Sequence, residues 1–145
     1  MKKKFLIMGL PGSGKTYLSE RLAPLIDAKR INADEVRKKA NDWDFSKEGR
    51  MRQANRMKLL TQKTILSKKN ALVDFVCPTL QTREEFSADF VIWMNTISKS
   101  RYEDTNLMFE KPSNKEVDFE VREKNADKIK FEILDKIKIK FKNIL

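Results

Sequence analysis

Gly9, Gly14, Lys15 and Thr16 stand in the spacing G-x-x-x-x-G-K-[ST], within the run Gly9-Leu10-Pro11-Gly12-Ser13-Gly14-Lys15-Thr16. Glycines let a backbone wrap closely around phosphate oxygens, so that successive amide N–H groups converge on one anion. A helix beginning at the lysine adds its own unpaired N–H groups and its dipole. The Lys15 ammonium is then placed for β- and γ-phosphates, and the Thr16 hydroxyl for Mg²⁺. Gly9, Gly12, Ser13, Gly14, Lys15 and Thr16 are therefore the expected contacts to ATP, with Mg²⁺–ATP as the phosphoryl donor. The motif has this meaning only between a strand and a helix. Lys4–Met8 reads as a buried strand, and 15–25 reads as a helix with Leu18, Leu22 and Leu25 on one face.

Two carboxylates complete the chemistry. Asp34 follows Arg30-Ile31-Asn32, a second strand, and so is expected to face the γ-phosphate. There it could organise Mg²⁺ or accept a proton from an attacking hydroxyl; its other reading is a cap for a helix over 35–40. Asp74 follows Ala71-Leu72-Val73 in a third strand. It reads either as a Walker-B aspartate acting on Mg²⁺ through water or as the partner of a buried cation. The chain has no histidine and one cysteine, Cys77. Acid–base work thus falls to Asp, Glu, Lys or Tyr, an intrachain disulfide is impossible, and zinc is disfavoured.

The net charge is +10, from 31 Lys and Arg against 21 Asp and Glu, which suits an anionic partner. The lysines scattered over 128–142 read as solubilising surface. Arg37, Arg50, Arg56, Arg83 and Arg101 are better candidates, because a planar guanidinium forks onto phosphate or sulfate.

These groups must be carried by a regular scaffold. Strand is expected at 71–76, 90–94 and, as a half-exposed edge, 117–121. Helix is expected at 47–69, with Met51, Ala54, Met57, Leu59, Leu60, Thr64, Ile65 and Leu66 as its buried face and Asn70 as its stop. A short helix is expected over 82–88, capped by Thr82. A final helix begins at Asn125 or Ala126, with Ile129, Ile133, Leu134, Ile137 and Phe141 in one stripe. The stretch 95–114 reads as irregular. Alternating strands and helices predict an α/β fold, a three-layer αβα P-loop NTPase sandwich with a mainly parallel sheet of about five strands in a single domain over residues 1–145. Ligands then bind beyond the carboxyl ends of the strands. No apolar run reaches the ~18 residues of a membrane span. The basic start Met1-Lys2-Lys3-Lys4 runs straight into the phosphate motif, so a cytoplasmic location is expected.

The chain resembles the adenylylsulfate kinases, which phosphorylate the ribose 3′-hydroxyl of adenosine 5′-phosphosulfate. The likeness runs from Phe5 to about Pro112. Gly9–Thr16 resembles that family's P-loop, and Asn32-Ala33-Asp34-Glu35-Val36-Arg37 its Asp-Gly-Asp-Asn-Val-Arg. Asn41 through Phe45-Ser46 to Arg50 resembles its Asn…Gly-Phe-Ser-x-x-Asp-Arg. Phe75-Val76-Cys77-Pro78 resembles Phe-Ile-Ser-Pro, Arg83 a later Arg, and Phe109-Glu110-Lys111-Pro112 Tyr-Glu-x-Pro. The resemblance implies that Asp34 is the catalytic base and Mg²⁺ organiser, with Lys15 as its catalytic partner. It implies substrate contacts from Arg37, Asn41, Phe45, Arg50, Gln53, Val76, Cys77 and Tyr102, with Phe45 and Tyr102 stacking on the substrate adenine. Tyr17 and Arg101 join the ATP contacts. Asn32, Gly49, Cys77 and Leu80 replace the family's Asp, Asp, Ser and Arg, and the lid between Met94 and Tyr102 is short, leaving Lys99 and Arg101 to neutralise charge.

The function expected is ATP-dependent phosphorylation of a small anionic nucleotide-like acceptor, adenosine 5′-phosphosulfate first, as in sulfate assimilation. The alternatives are a polynucleotide end or modified DNA base as acceptor, and a nucleotide-dependent binding protein with little catalysis. No membrane partner is expected, and a homodimer is compatible with the sequence.

Overall fold

The structure, a computed structural model, describes residues 1–142. Five strands form: β1 (Lys4–Met8), β2 (Ala28–Asn32), β3 (Asn70–Asp74), β4 (Phe90–Met94) and β5 (Phe119–Val121). Among the described residues six α-helices lie between and after them, α2 and α3 in succession: α1 (Lys15–Leu22), α2 (Ala33–Ala40), α3 (Lys47–Leu66), α4 (Leu80–Phe86), α5 (Glu103–Met108) and α6 (Ala126–Lys140). A single 3-10 turn, Ala23–Ile26, extends α1, with Pro24 in its first turn.

The sheet order is β2-β3-β1-β4-β5 and every pairing is parallel. A parallel sheet needs cover on both faces, and the strand alternation supplies it. On one side Phe5 and Ile7 pack with Leu18, Leu22, Leu72, Ile92 and the Ile129–Ile133–Ile137 stripe of α6. On the other, Leu6 and Met8 pack with Met57, Val73, Phe75 and Trp93. This is the three-layer α/β arrangement of P-loop kinases. β1 is central, and the chain leaves it toward β2 and β3 on one side and reaches β4 and β5 on the other. Its carboxyl end is thus the switch point where ligands bind.

Several elements differ from expectation. α3 buries Gly49, Gln53, Met57, Thr61 and Thr64, whereas Met51, Leu59, Leu60 and Leu66 are exposed. The buried stripe is small and polar because its hydroxyls are satisfied within the helix. Thr61 Oγ1 donates to Met57 O at 2.6 Å and Thr64 Oγ1 to Leu60 O at 2.8 Å. α3 also stops at Leu66, short of Lys69. Asn70 is the first residue of β3, where its side chain accepts from Lys3 N (2.9 Å) and donates to Ile26 O (2.8 Å). β3 ends at Asp74, before Val76. Thr79, one turn earlier than expected, caps α4, and Thr82 closes its capping box. The stretch 95–114 contains α5, and β5 is only three residues long. Among the described residues no helix is long and apolar enough to cross a membrane.

Gly49 explains one departure from the adenylylsulfate kinase pattern. The loop 41–46 folds back over the first turn of α3, and a Cβ on Gly49 would run into the Asp44 carbonyl oxygen and lie 2.6 Å from Asp44 Cγ. Gly49→Ala is expected to displace this loop and destabilise the fold by about 1–3 kcal/mol, the usual cost of overpacking. Denaturant unfolding of the variant checks it.

Candidate active site

The phosphate loop follows directly from β1. Gly9 has φ 151°, and a Cβ there would stand 2.8 Å from Met94 O, so β4 presses against it. Gly12 and Gly14 have φ 84° and 102°, the left-handed region that glycine enters freely. Ser13 N donates to Leu10 O (3.2 Å) and Thr96 Oγ1 to Ser13 O (2.7 Å), which close the loop. Lys15 Nζ donates to Gly9 O and Leu10 O, both at 2.9 Å, and so lies back over the loop. Burial pulls its pKa down to about 8, against the opposing fields of Asp74 and Asp34. A phosphate anion would supply the missing counter-charge.

Behind the loop runs a buried polar chain. Ser19 Oγ donates to Asp74 Oδ2 at 2.6 Å, and Asn32 Nδ2 donates to Asp74 Oδ1 at 2.7 Å and Thr16 Oγ1 at 3.1 Å. Parallel register brings this about, since Asn32 pairs with Asp74 across β2 and β3. Burial raises the Asp74 carboxyl pKa, while Ser19, Asn32, Arg30 and Lys15 oppose the rise. Asp74 has a cation beside it, Arg30 Nη1 at 3.5 Å, and is linked to Thr16 through Asn32. Asparagine suits position 32 because its amide donates to Asp74, where a second carboxylate would repel it. Asn32 also caps α2, its Oδ1 accepting from Glu35 N at 3.0 Å. Asp34 is therefore not the cap. It sits exposed in the first turn of α2, and its charge acts on both Lys15 and Arg37. Thr16 Oγ1 and the two carboxylates are hard oxygen donors, few in number, which suits Mg²⁺ shared with phosphate and water.

On the far side of Asp34 the loop 41–46 is clamped by arginines. Asn41 ends α2 in the left-handed conformation at φ 50°. Arg37 is only 5% exposed; its Nη1 donates to Asp42 O (3.0 Å) and Asp44 O (3.1 Å), and its guanidinium lies 4.3 Å from the Phe45 ring centroid. Arg52 and Arg56 both grip the Asp42 carboxylate and hold it far below the usual carboxyl range. Arg50 donates to Phe45 O (2.9 Å) and to Thr105 Oγ1 (3.1 Å), tying the loop to α5. Arg101 Nη2 donates to Tyr102 OH at 3.0 Å. Phe45, Tyr102 and Trp43 are exposed, at 54%, 49% and 50%.

Two expected substrate contacts have their side chains committed elsewhere. Gln53 is buried, its Nε2 donating to Ala33 O (2.9 Å) and its Oε1 accepting from Arg56 Nη1 (3.0 Å). Cys77 is fully buried, and burial pushes its thiol up to about 12, so only its backbone could meet a ligand. Its neighbour Val76 is half-buried. Arg83 is a staple inside the protein, donating to Cys77 O (3.0 Å), Pro78 O (3.1 Å), Glu110 O and Glu116.

With the loop, the carboxylates and the arginine clamp in place, relatives can be compared. A family described as an AAA domain matches residues 5–101. The chain belongs to this AAA domain family. No curated protein matches it. Among solved structures, this AAA domain is similar to the Mycobacterium tuberculosis APS kinase in complex with AMPPNP and APS. That likeness has TM-score 0.76 and 17% identity, covering 94% of this chain and 98% of that one. A sugar kinase from Janibacter sp. gives TM-score 0.77 at 12% identity, covering 96% of each chain. The Acinetobacter baumannii shikimate kinase in complex with shikimate gives TM-score 0.60 at 20% identity, covering 94% and 93%. Identities this low establish the shared kinase fold.

The AAA domain also carries a cavity of about 380 Å³ beside the phosphate loop, lined by Gly14, Tyr17, Met94, Val121, Asn125 and Ile129 among others. Of these, the sequence pointed to Gly14 and Tyr17. The turn between β5 and α6 was legible only as an element boundary. Its signal was positional: it follows a parallel strand, and so opens on the same sheet edge as the phosphate loop. Arg21 covers the Tyr17 ring, its guanidinium 3.2 Å from the centroid. A smaller cavity of about 200 Å³ near Lys4, Lys58 and Phe86 shares none of these residues.

Proposed function

We propose that this chain transfers the γ-phosphoryl group of Mg²⁺–ATP to a hydroxyl of a small anionic nucleotide, with the 3′-hydroxyl of adenosine 5′-phosphosulfate as the acceptor its loop fits best. One observation carries the reading. Asp34 is an exposed carboxylate in the first turn of α2, two residues after Asn32, which donates to Thr16 Oγ1, and three before Arg37. That position between the phosphate loop and the arginine clamp supports reading it as the group at which a hydroxyl meets the γ-phosphate.

The roles follow from position. The amides of 12–16 and the Lys15 ammonium hold the phosphates, and the cavity beside Tyr17 takes the ATP base. Thr16 and Asp34, with Asp74 acting through water, would hold Mg²⁺, which when bound would supply positive charge to offset that of the phosphates. Phe45 and Tyr102 stack on the acceptor's purine. Arg37 through its Nε and Nη2, and Arg50 through its Nη1, face the anionic group. The acceptor oxygen forms its bond to γ-phosphorus while the bond to the β-phosphate oxygen breaks and ADP leaves. The hydroxyl proton passes to the Asp34 carboxylate.

A coupled assay of ADP release tests this. Release is expected to rise at least tenfold over the ATPase background on adding adenosine 5′-phosphosulfate, and not on adding shikimate or gluconate. Equal rates with and without every acceptor would remove the kinase reading in favour of a nucleotide-dependent binding protein. Trp43, an exposed aromatic on the same loop as Phe45, favours a second reading in which successive bases of a polynucleotide end stack there. Steep weakening of oligonucleotide binding with salt would support that acceptor.

A further inference from the structure

Lys124 stands in the turn between β5 and α6, far along the chain from the phosphate loop. Its Nζ nevertheless donates to Gly12 O at 2.8 Å. Its Cγ lies 3.9 Å from the point a Cβ on Gly14 would occupy. The same side chain lines the cavity of about 380 Å³ with Gly14 and Tyr17. In the sequence it is one of 31 Lys and Arg residues with no motif around it.

In a phosphate loop the amide N–H groups turn toward the anion, so the carbonyls turn outward. The ammonium on Gly12 O is thus on the rim, outside the ring of amides. A nucleotide with its phosphates on 12–16 and its base in the cavity must carry its sugar over Gly14, past this lysine. An ammonium has three donors, and Gly12 O takes one of them. The other cations near the cavity are engaged: Arg21 with Asp127 at 3.3 Å and Arg122 with Glu120 at 3.1 Å.

We propose that Lys124 is a nucleotide-binding residue. Its stem flanks the sugar and base, and its ammonium, held on Gly12 O, donates to an oxygen where the sugar joins the α-phosphate. It thereby links the phosphate loop to the base cavity. This rests on the reading of Gly9–Thr16 as a triphosphate site, and is independent of the acceptor.

Calorimetric titration of the whole chain with two probes, Mg²⁺–AMPPNP and Mg²⁺–tripolyphosphate, tests it. Lys124→Met keeps the stem and loses the ammonium; Lys124→Ala loses both. AMPPNP affinity is expected to fall about tenfold in the Met variant, the worth of one charge-assisted hydrogen bond, and further in the Ala variant. Tripolyphosphate affinity is expected to change by less than about threefold in either, because the contact lies on the nucleoside side. AMPPNP affinity within twofold of the parent in both variants would overturn the proposal. So would equal weakening of both probes, which would mean that Lys124 acts only on the shape of the loop. If the unaltered chain and its Lys15→Ala variant bind AMPPNP equally poorly, the triphosphate reading itself falls and takes this inference with it.

Discussion

Replacing Lys15 by alanine is expected to lower kcat for phosphoryl transfer by about 10³-fold, the scale on which a preorganised cation at a transferring phosphoryl group acts. The reason lies in its setting. The ammonium is buried against the loop with only two carbonyl oxygens as partners, Gly9 O and Leu10 O. Burial leaves its charge weakly screened, so a phosphate within reach would feel it strongly. A steady-state comparison of the two proteins measures the loss, and a variant within tenfold of the parent would show that Lys15 does not act on the transition state.

The depressed Lys15 pKa gives this prediction a pH signature. At about 8 it lies below its ordinary 10.5, because burial disfavours the charged form. Between those values the folded chain binds fewer protons than the unfolded one, so Lys15 makes stability rise with pH across that window. Below about pH 8 the full cost of burying the ammonium is present. Phosphate binding has the opposite sign, since it needs the ammonium. The ratio of the parent's affinity for metal-free tripolyphosphate to that of Lys15→Met, in which the ligand's own titration cancels, is expected to be flat below about pH 8 and to fall above it, approaching tenfold per unit. Lys15→Met should be weak and free of this inflection.

The second large effect is expected at Asp34. Asp34→Asn keeps the shape and the first turn of α2, whose cap is Asn32, but cannot accept a proton. We expect kcat to fall by about 10³-fold, within the range for a general base. Because Asp34 is exposed and the cap is elsewhere, the unfolding midpoint should be unaltered. A kcat within tenfold of the parent would move the proton acceptor to another group.

These two residues were legible in the sequence for local reasons. A glycine spacing between an apolar run and an amphipathic helix is readable without tertiary information, as is the Ile129–Ile133–Ile137 stripe of α6. What escaped depends on distant parts of the chain. The buried face of α3 was legible at Met57 and Thr64 but not at Gly49, Gln53 and Thr61, where polar or small residues are buried in place of Met51, Leu59, Leu60 and Leu66; Thr61 satisfies its own hydroxyl inside the helix, so burial followed position and not hydrophobicity. Asp34 was read as a possible cap for α2, but Asn32 caps it; the Asn32 amide is held by Asp74, 42 residues away in sequence, which no local pattern shows. The clamp of Asp42 by Arg52 and Arg56 exists only because the loop 41–46 folds back on α3. The cavity beside Tyr17 needs β5 to be seated on β4, which no local pattern in Phe119–Val121 announces. Gly49 was visible as a departure from a resembling family, but its meaning required the Asp44 carbonyl above it.

The most direct test of the proposed activity follows the phosphorus. The chain is incubated with ATP labelled at the γ-phosphate and with adenosine 5′-phosphosulfate, and the products are separated and assigned by phosphorus NMR. The label is expected on the ribose 3′-oxygen of the acceptor, in an amount equal to the ADP formed, and to be absent from that position with Asp34→Asn. Label found only in inorganic phosphate, or left in ATP by a chain that binds AMPPNP tightly, would contradict phosphoryl transfer to this acceptor.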